Sequence, residues 1–191
     1  EIRKLIQVKP GEGFSRARLT ESTKLISERL GNDGYAFANV NAVPSLDKGK
    51  RQVAFTFLID PGRRVYVRRL NVTGNNRTSD EVIRRETRQL EGAWYSAQKV
   101  TLSKQRVDKL GYFSEVNVET PSVPGATDQV DINLAVVEKP TGLILFGVGY
   151  GSDDGVVLSG SIAQQNIFGS GRHLSLNVNT SQVNTTYSLS Y

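Results

Sequence analysis

Gly147, Gly149 and Gly151 stand at alternate positions, which begins the spacing of a loop that cradles a dinucleotide pyrophosphate. That chemistry needs a further glycine three residues on and a helix opening behind it. Ser152 and Asp154 occupy the positions where that glycine is required, and no helical pattern follows. The single histidine, His173, has no neighbouring acid or nucleophile motif. Neither His-Glu-x-x-His nor a glycine-rich loop ending in Gly-Lys-Ser/Thr occurs. With no cysteine there can be no disulfide framework and no thiolate zinc site. Catalysis is therefore not expected, nor a cofactor or metal.

What remains is binding chemistry. Arg63, Arg64, Arg68 and Arg69 form a basic run at the start of an expected strand. A nucleic-acid surface would add stacking aromatics, a companion basic helix or a known motif, and none is present. Contact with anionic lipid headgroups, or charges guarding an exposed strand edge, suits the run better. Arg84, Arg85, Glu86 and Arg88 crowd a helix expected over 79–89, giving it a mixed-charge face suited to a protein partner.

These residues are positioned by a repeat. Gly34-Tyr35, Pro44-Ser45 and Gln52-Val53 recur 77 residues later as Gly111-Tyr112, Pro121-Ser122 and Gln129-Val130. Each set follows a helical stretch that opens after Ser15 or Ser96 and closes at Leu30-Gly31 or Leu110-Gly111. Leu19, Ile26 and Leu30 share one helical face, as do Val100, Val107 and Leu110. Strands are expected at 38–43 and 52–60, and again at 114–123 and 129–138. Val130, Ile132, Leu134 and Val136 alternate as a strand with one buried face does. The second unit also has an opening strand at 64–73, then a helix whose Thr78-Ser-Asp-Glu81 fits a capping box. Its order is β-α-α-β-β, a three-stranded mixed sheet with two helices. Such a period signals tandem small domains. The first copy lacks its opening strand, so the chain is expected to be an excerpt of something longer.

From Pro140 onward only Asp153, Asp154 and Arg172 are charged. Setting these aside leaves 23 of the 24 basic and 17 of the 19 acidic residues in positions 1–139. That portion carries +6 and the remainder −1, which implies two different solvents. In the tail, residues alternate with period two: Ile144, Phe146, Val148 and Tyr150; then Val156, Leu158, Gly160 and Ile162; then Leu174, Leu176 and Val178; then Thr185, Tyr187, Leu189 and Tyr191. Turns are expected at 152–155, 168–171 and 180–182. Strands with one apolar and one small, uncharged polar face suit a transmembrane barrel, where about eight strands close the smallest examples. A soluble β-sandwich would also alternate, but its wet face would be expected to carry Lys and Glu rather than Ser, Asn, Gln and Gly.

Several stretches resemble the BamA family of outer-membrane assembly proteins. They are Arg64-Val-Tyr-Val-Arg-Arg-Leu-Asn-Val-Thr-Gly-Asn75, Arg84-Arg-Glu-Thr-Arg-Gln-Leu-Glu-Gly-Ala-Trp94, Leu110-Gly-Tyr-Phe113 and Gly147-Val-Gly-Tyr-Gly151. Asn166-Ile-Phe-Gly-Ser-Gly171 is similar to the family's first periplasmic turn, and Glu91-Gly-Ala-Trp94 to its last POTRA domain. The resemblance implies a penultimate POTRA domain at 1–62, the last POTRA at 63–139, and the first four barrel strands at 140–191. It implies an outer-membrane location with residues 1–139 in the periplasm, and a role inserting other β-barrel proteins. Leu143, Leu145, Gly147, Gly149 and Tyr150 of the first barrel strand would pair with a client strand. The exposed POTRA edges, with Val116 and Val118, would guide clients. Glu86, with Arg84, Arg85 and Arg88 around it, would meet a periplasmic lipoprotein of the assembly complex. The partners so implied are those lipoproteins, unfolded outer-membrane clients and outer-membrane lipid. A secretion transporter dedicated to one partner protein, or a soluble periplasmic binding module, are the alternatives.

Overall fold

A computed structural model describes residues 2–152 and 155–191. After a 3₁₀ turn at Ile2–Leu5 come helix α1 (Arg16–Asn32) and strands β1 (Asn39–Asp47) and β2 (Gln52–Asp60). Then follow β3 (Tyr66–Thr73), α2 (Asp80–Arg84), α3 (Ala97–Lys109), β4 (Phe113–Glu119) and β5 (Gln129–Glu138), in the expected β-α-α-β-β order. The tail forms β6 (Gly142–Gly151), β7 (Gly155–Gln164), β8 (Leu174–Thr180) and β9 (Thr185–Ser190). No helix among the described residues is long and apolar enough to cross a membrane.

The two repeats use the same local devices. Ser15 and Ser96 each offer a side-chain oxygen to the N–H three residues on, at Arg18 and Lys99, as helix-opening serines do. Inside the helices, Ser22 Oγ accepts the Gln7 N–H at 2.8 Å, and Ser103 Oγ accepts that of Arg88 at 2.7 Å. Both hydroxyls also donate to the carbonyl four residues back. α1 has 17 residues and α3 has 13, a difference close to one helical turn. The serines therefore recur at a longer offset than the strands.

The chain forms two compact units. One comprises Glu1–Asn71, Thr87–Ser103 and Val118–Asn133; the other comprises Val72–Glu86, Lys104–Asn117 and Leu134–Tyr191. The first buries Ile26, Leu30, Val65, Val67, Val130 and Ile132, with the β1–β2 pair beside α1. The second buries Val82, Ile83, Val107, Phe113, Leu134 and Val136. The alternation expected in β5 thus becomes an inward row. The three-stranded sheet has the order β3-β5-β4, and the tail sheet the order β6-β7-β8-β9.

Four local expectations need correction. The helix expected over 79–89 is only Asp80–Arg84. Its last turn tightens, with the Glu86 N–H donating to the Ile83 carbonyl three residues back, and farther on the Arg88 and Gln89 N–H groups turn to Ser103 Oγ. The capping box does not form: Ser79 is the N-cap without a side-chain bond, and Thr78 is engaged elsewhere. β1 runs on through Pro44 to Asp47, which an edge position tolerates. β4 ends at Glu119, with only an isolated Ser122–Val130 bridge beyond it. The turn expected at 152–155 falls partly on residues 153 and 154, outside the described residues.

Candidate functional site

The tail sheet is antiparallel throughout, and its register gathers the alternating residues onto one face. Ile144 faces Ile162, Phe146 faces Gly160, Val148 faces Leu158 and Tyr150 faces Val156. The row continues from Ile162 to Leu176 to Leu189, and from Gly160 to Val178 to Tyr187. This apolar face is bare: Phe146 is 86%, Tyr150 82% and Tyr187 73% exposed. The opposite face carries Ser159, Ser161, Asn177, Asn179 and Ser188, with Ser161 Oγ bonded to Asn177 Oδ1 at 2.6 Å. A soluble sandwich would cover the apolar side.

β6 is a terminal strand, hydrogen-bonded to β7 alone, so one row of its backbone groups lacks a strand partner among the described residues. Leu143, Leu145, Gly147, Gly149 and Tyr150 all lie on this strand. Its two central glycines differ. A Cβ on Gly147 would overlap Ser159 Oγ across the pair, whereas one on Gly149 would meet nothing within 4 Å. Gly149→Ala is expected to leave the urea stability of the full-length protein within about 0.5 kcal/mol of wild type. Gly147→Val should cost about 1–2 kcal/mol by overpacking.

Within the second unit, the turn between β7 and β8 is fastened to the start of α2. Asn166, at φ 61°, is buried and donates from Nδ2 to Thr78 Oγ1 at 2.8 Å. Its Oδ1 accepts the Gly171 N–H at 2.7 Å. The Ser79 N–H donates to the Gly169 carbonyl at 3.0 Å, and Tyr112 Oη to the Gly171 carbonyl at 3.2 Å. Below this knot lies Glu138, whose carboxylate accepts the N–H groups of Arg77 (3.0 Å) and Thr78 (2.7 Å). Burial pushes the Glu138 carboxyl up. The Thr78 hydroxyl, the two N–H groups and the Arg77 charge outweigh it and hold the group below the ordinary carboxylate range. No signal in residue type had marked Glu138.

The expected partner residues do not share one helix. Arg84 Nε pairs with Asp80 at 2.5 Å. Glu86 lies beyond α2 and is already bonded to Arg106, at 3.0 Å from Nε and 2.8 Å from Nη2, with Arg85 Nε at 4.0 Å. Arg88 lies in the other unit, where its N–H meets Ser103. A partner cation at Glu86 would have to share the carboxylate with Arg106.

Three arginines of the basic run are likewise engaged. Arg68 grips Asp131 with Nε at 2.9 Å and Nη2 at 2.5 Å. This bond holds the Asp131 carboxyl low and the Arg68 guanidinium high. Arg63 reaches Thr127 Oγ1 at 2.8 Å. Arg64 lies over the Trp94 ring at 4.4 Å and donates to the Asp33 carbonyl at 2.7 Å, joining the end of α1 to the 91–95 segment. Arg64→Ala is expected to lower the urea stability of this unit by about 1 kcal/mol.

Glu91-Gly-Ala-Trp94 closes a sheet edge. Gly92 N–H donates to Val67 O (2.7 Å), Val67 N–H to Ala93 O (2.9 Å) and Tyr95 N–H to Val65 O (3.0 Å). Glu91 accepts the Leu70 N–H, and the buried Gln89 bonds Trp94 O and Ser96 N–H. With that strap on β3, the other terminal strand is β4, which holds Val116 and Val118. The Val116 side chain is buried, so only its main chain can serve an edge.

The POTRA family model, described as a surface antigen variable number repeat, matches residues 1–62 and 65–139. The outer membrane protein assembly factor BamA of Neisseria meningitidis serogroup B is 38% identical over all 191 residues, which span 24% of its length. The structure is similar to BamA from Haemophilus ducreyi lacking POTRA domains 1–3, with a TM-score of 0.88 and 38% identity over 98% of this chain and 36% of that one. It also resembles Haemophilus influenzae BamA POTRA3–5, with a TM-score of 0.69 and 36% identity over 72% of this chain and 54% of that one. The chain thus spans about a quarter of the length of the curated relative. Its location is that of these relatives, the outer membrane with the POTRA domains in the periplasm. Two POTRA repeats, and similarity to BamA that runs through every strand of the tail, make this chain a member of the POTRA family and a homologue of BamA.

Proposed function

We propose that this chain belongs to a machine that folds and inserts β-barrel proteins into the bacterial outer membrane, and that it works by lending unpaired strand edges to its clients. The observation that carries this reading is β6, a terminal strand of a sheet whose apolar face is bare. β6 to β9 are read as the first transmembrane strands of a barrel, with the apolar face in lipid and the Ser/Asn face towards the lumen. In hydrocarbon an unpaired N–H or C=O costs several kcal/mol. An incoming strand that pairs with β6 removes that cost from both partners, which is β-augmentation. No nucleotide or metal is needed.

The repeats would supply periplasmic guidance. The strap on β3 leaves β4 as the open edge of its sheet, and β1 is the corresponding edge of the first repeat. Clients meeting these edges would be handed on towards β6. The Glu86–Arg106 pair and its neighbouring arginines form a charged surface suited to a lipoprotein partner of the complex.

The test uses the full-length parent in liposomes, following the folding of a urea-unfolded outer-membrane protein. Acceleration is expected, and a disulfide locking β6 to the last barrel strand should abolish it until reductant is added. Unchanged folding rates with the parent and its lipoproteins present would instead favour a transporter dedicated to one partner.

A further inference from the structure

At the foot of the tail sheet, within the second unit, lies a cleft of about 490 Å³. Arg77 and Lys139 line it together with Glu138, Gly142, Gln164 and Phe168. Its two cations have chemistry to spare. The Arg77 main chain is bonded to Glu138, but among the described residues its guanidinium forms no ion pair within 4 Å, and nor does the Lys139 ammonium. The Glu138 charge is already spread over several donors, so the cleft carries one net positive charge towards a visitor.

Register decides what kind of visitor fits. Gly142 pairs with Gln164, and the next pair on the same face is Ile144 with Ile162. The cleft therefore opens where the bare apolar face begins. Beside it stands Phe168, 98% exposed and held at φ 50°, ψ 26°, a left-handed conformation that costs a non-glycine residue about 1–2 kcal/mol. The turn thus keeps a strained aromatic in the open at the sheet's periplasmic end. Aromatic rings in barrels collect at such membrane boundaries.

The geometry points to a built site for one anionic phospholipid, its headgroup phosphate between Arg77 and Lys139 and its acyl chains along Gly142, Ile144 and Ile162. A free phosphate would use only the cations. A neutral lipid would use only the apolar face. An anionic amphiphile uses both, and a cleft of this size is ample for its headgroup. This rests on the reading that the apolar face lies in lipid. It also moves lipid recognition away from Arg63, Arg64 and Arg68, which are engaged within the protein.

The full-length parent, delipidated in neutral detergent, would be titrated with short-chain phosphatidylglycerol and with phosphatidylcholine of the same chain length, using native mass spectrometry. Phosphatidylglycerol is expected to bind in a one-to-one complex that phosphatidylcholine does not form. At roughly fivefold per lost cation, R77Q/K139Q should weaken it about twenty-five-fold, and R77K/K139R should restore it, which separates charge from folding. Undiminished binding in R77Q/K139Q, or equal retention of both lipids, would overturn the site. So would glycerol phosphate, or a peptide with a free C-terminal carboxylate, displacing the lipid at equal concentration. An environment-sensitive label on F146C reports separately on the apolar face. A label in water defeats the membrane reading itself, whereas a label in lipid without headgroup preference defeats only the site.

Discussion

Gly169→Ala is expected to loosen the joint between the second repeat and the tail sheet more than any surface change. Gly169 sits at φ +73°, and a Cβ there would fall inside the van der Waals boundary of the Arg77 carbonyl oxygen, with Thr78 Cα close behind. Both obstacles are backbone, so no side chain can rotate away. The residue would have to leave the left-handed region or the turn would have to lift. Lifting breaks the Ser79–Gly169 bond and exposes the Asn166–Thr78 pair. Backbone strain, the broken Ser79–Gly169 bond and the exposure of the buried Asn166–Thr78 pair together amount to about 3–5 kcal/mol. Hydrogen exchange on the full-length protein should show it. The N–H groups of Ser79 and Gly171 should lose protection by two or more orders of magnitude, while those of α1 should not change. Equal protection in wild type and variant would show that the turn is not fastened.

Glu138→Ala carries the next largest effect. The substitution leaves the Arg77 and Thr78 N–H groups and the Thr78 hydroxyl without their acceptor. Buried donors that lose a charged acceptor cost about 1–3 kcal/mol each, discounted here because Arg77 is exposed. A loss of about 2–4 kcal/mol is expected in the urea stability of the second unit. Glu138→Gln should recover part of it, since its amide oxygen can still accept. The same carboxyl links stability to pH. Its folded pKa lies below the unfolded one, so its contribution is full above the unfolded value and is lost as pH falls through the folded value. Wild type should therefore lose stability under mild acid, and E138Q should lose less. Asp131, held low by Arg68, acts in the same direction, so the Glu138 share is the difference between the two proteins. Parallel acid curves for wild type and E138Q would sink this assignment.

Much of the architecture could be read from residue pattern because the relevant physics is periodic and local. β2 and β5 match their expected bounds, since a strand with one buried face must alternate. Both long helices open behind Ser15 and Ser96 because a hydroxyl there takes an N–H the helix leaves bare. The charge step at Lys139–Pro140 and the uncharged alternation beyond it anticipated a face without lysine or glutamate. Segment 79–89 resisted the same logic. Its helical propensity and capping-box spacing are real, yet Ser103, from a different helix, takes the N–H groups that would have prolonged it. Thr78 has the type and spacing of a cap, but Glu138, 60 residues away, claims its N–H.

The repeat, the strand periods, the family resemblance and the absence of cysteine chemistry are legible in residue order, because they depend on near neighbours or on composition. Which charges are spoken for emerges once the chain is folded. Glu86 is matched by Arg106, Arg68 by Asp131 and Arg64 by Trp94, so residues that looked free for partners are occupied within the chain. Arg77 and Lys139, unremarkable as letters, face a cleft. An ion pair forms over a few ångströms of space whatever the separation along the chain, so its partners can be identified only after the backbone has been folded.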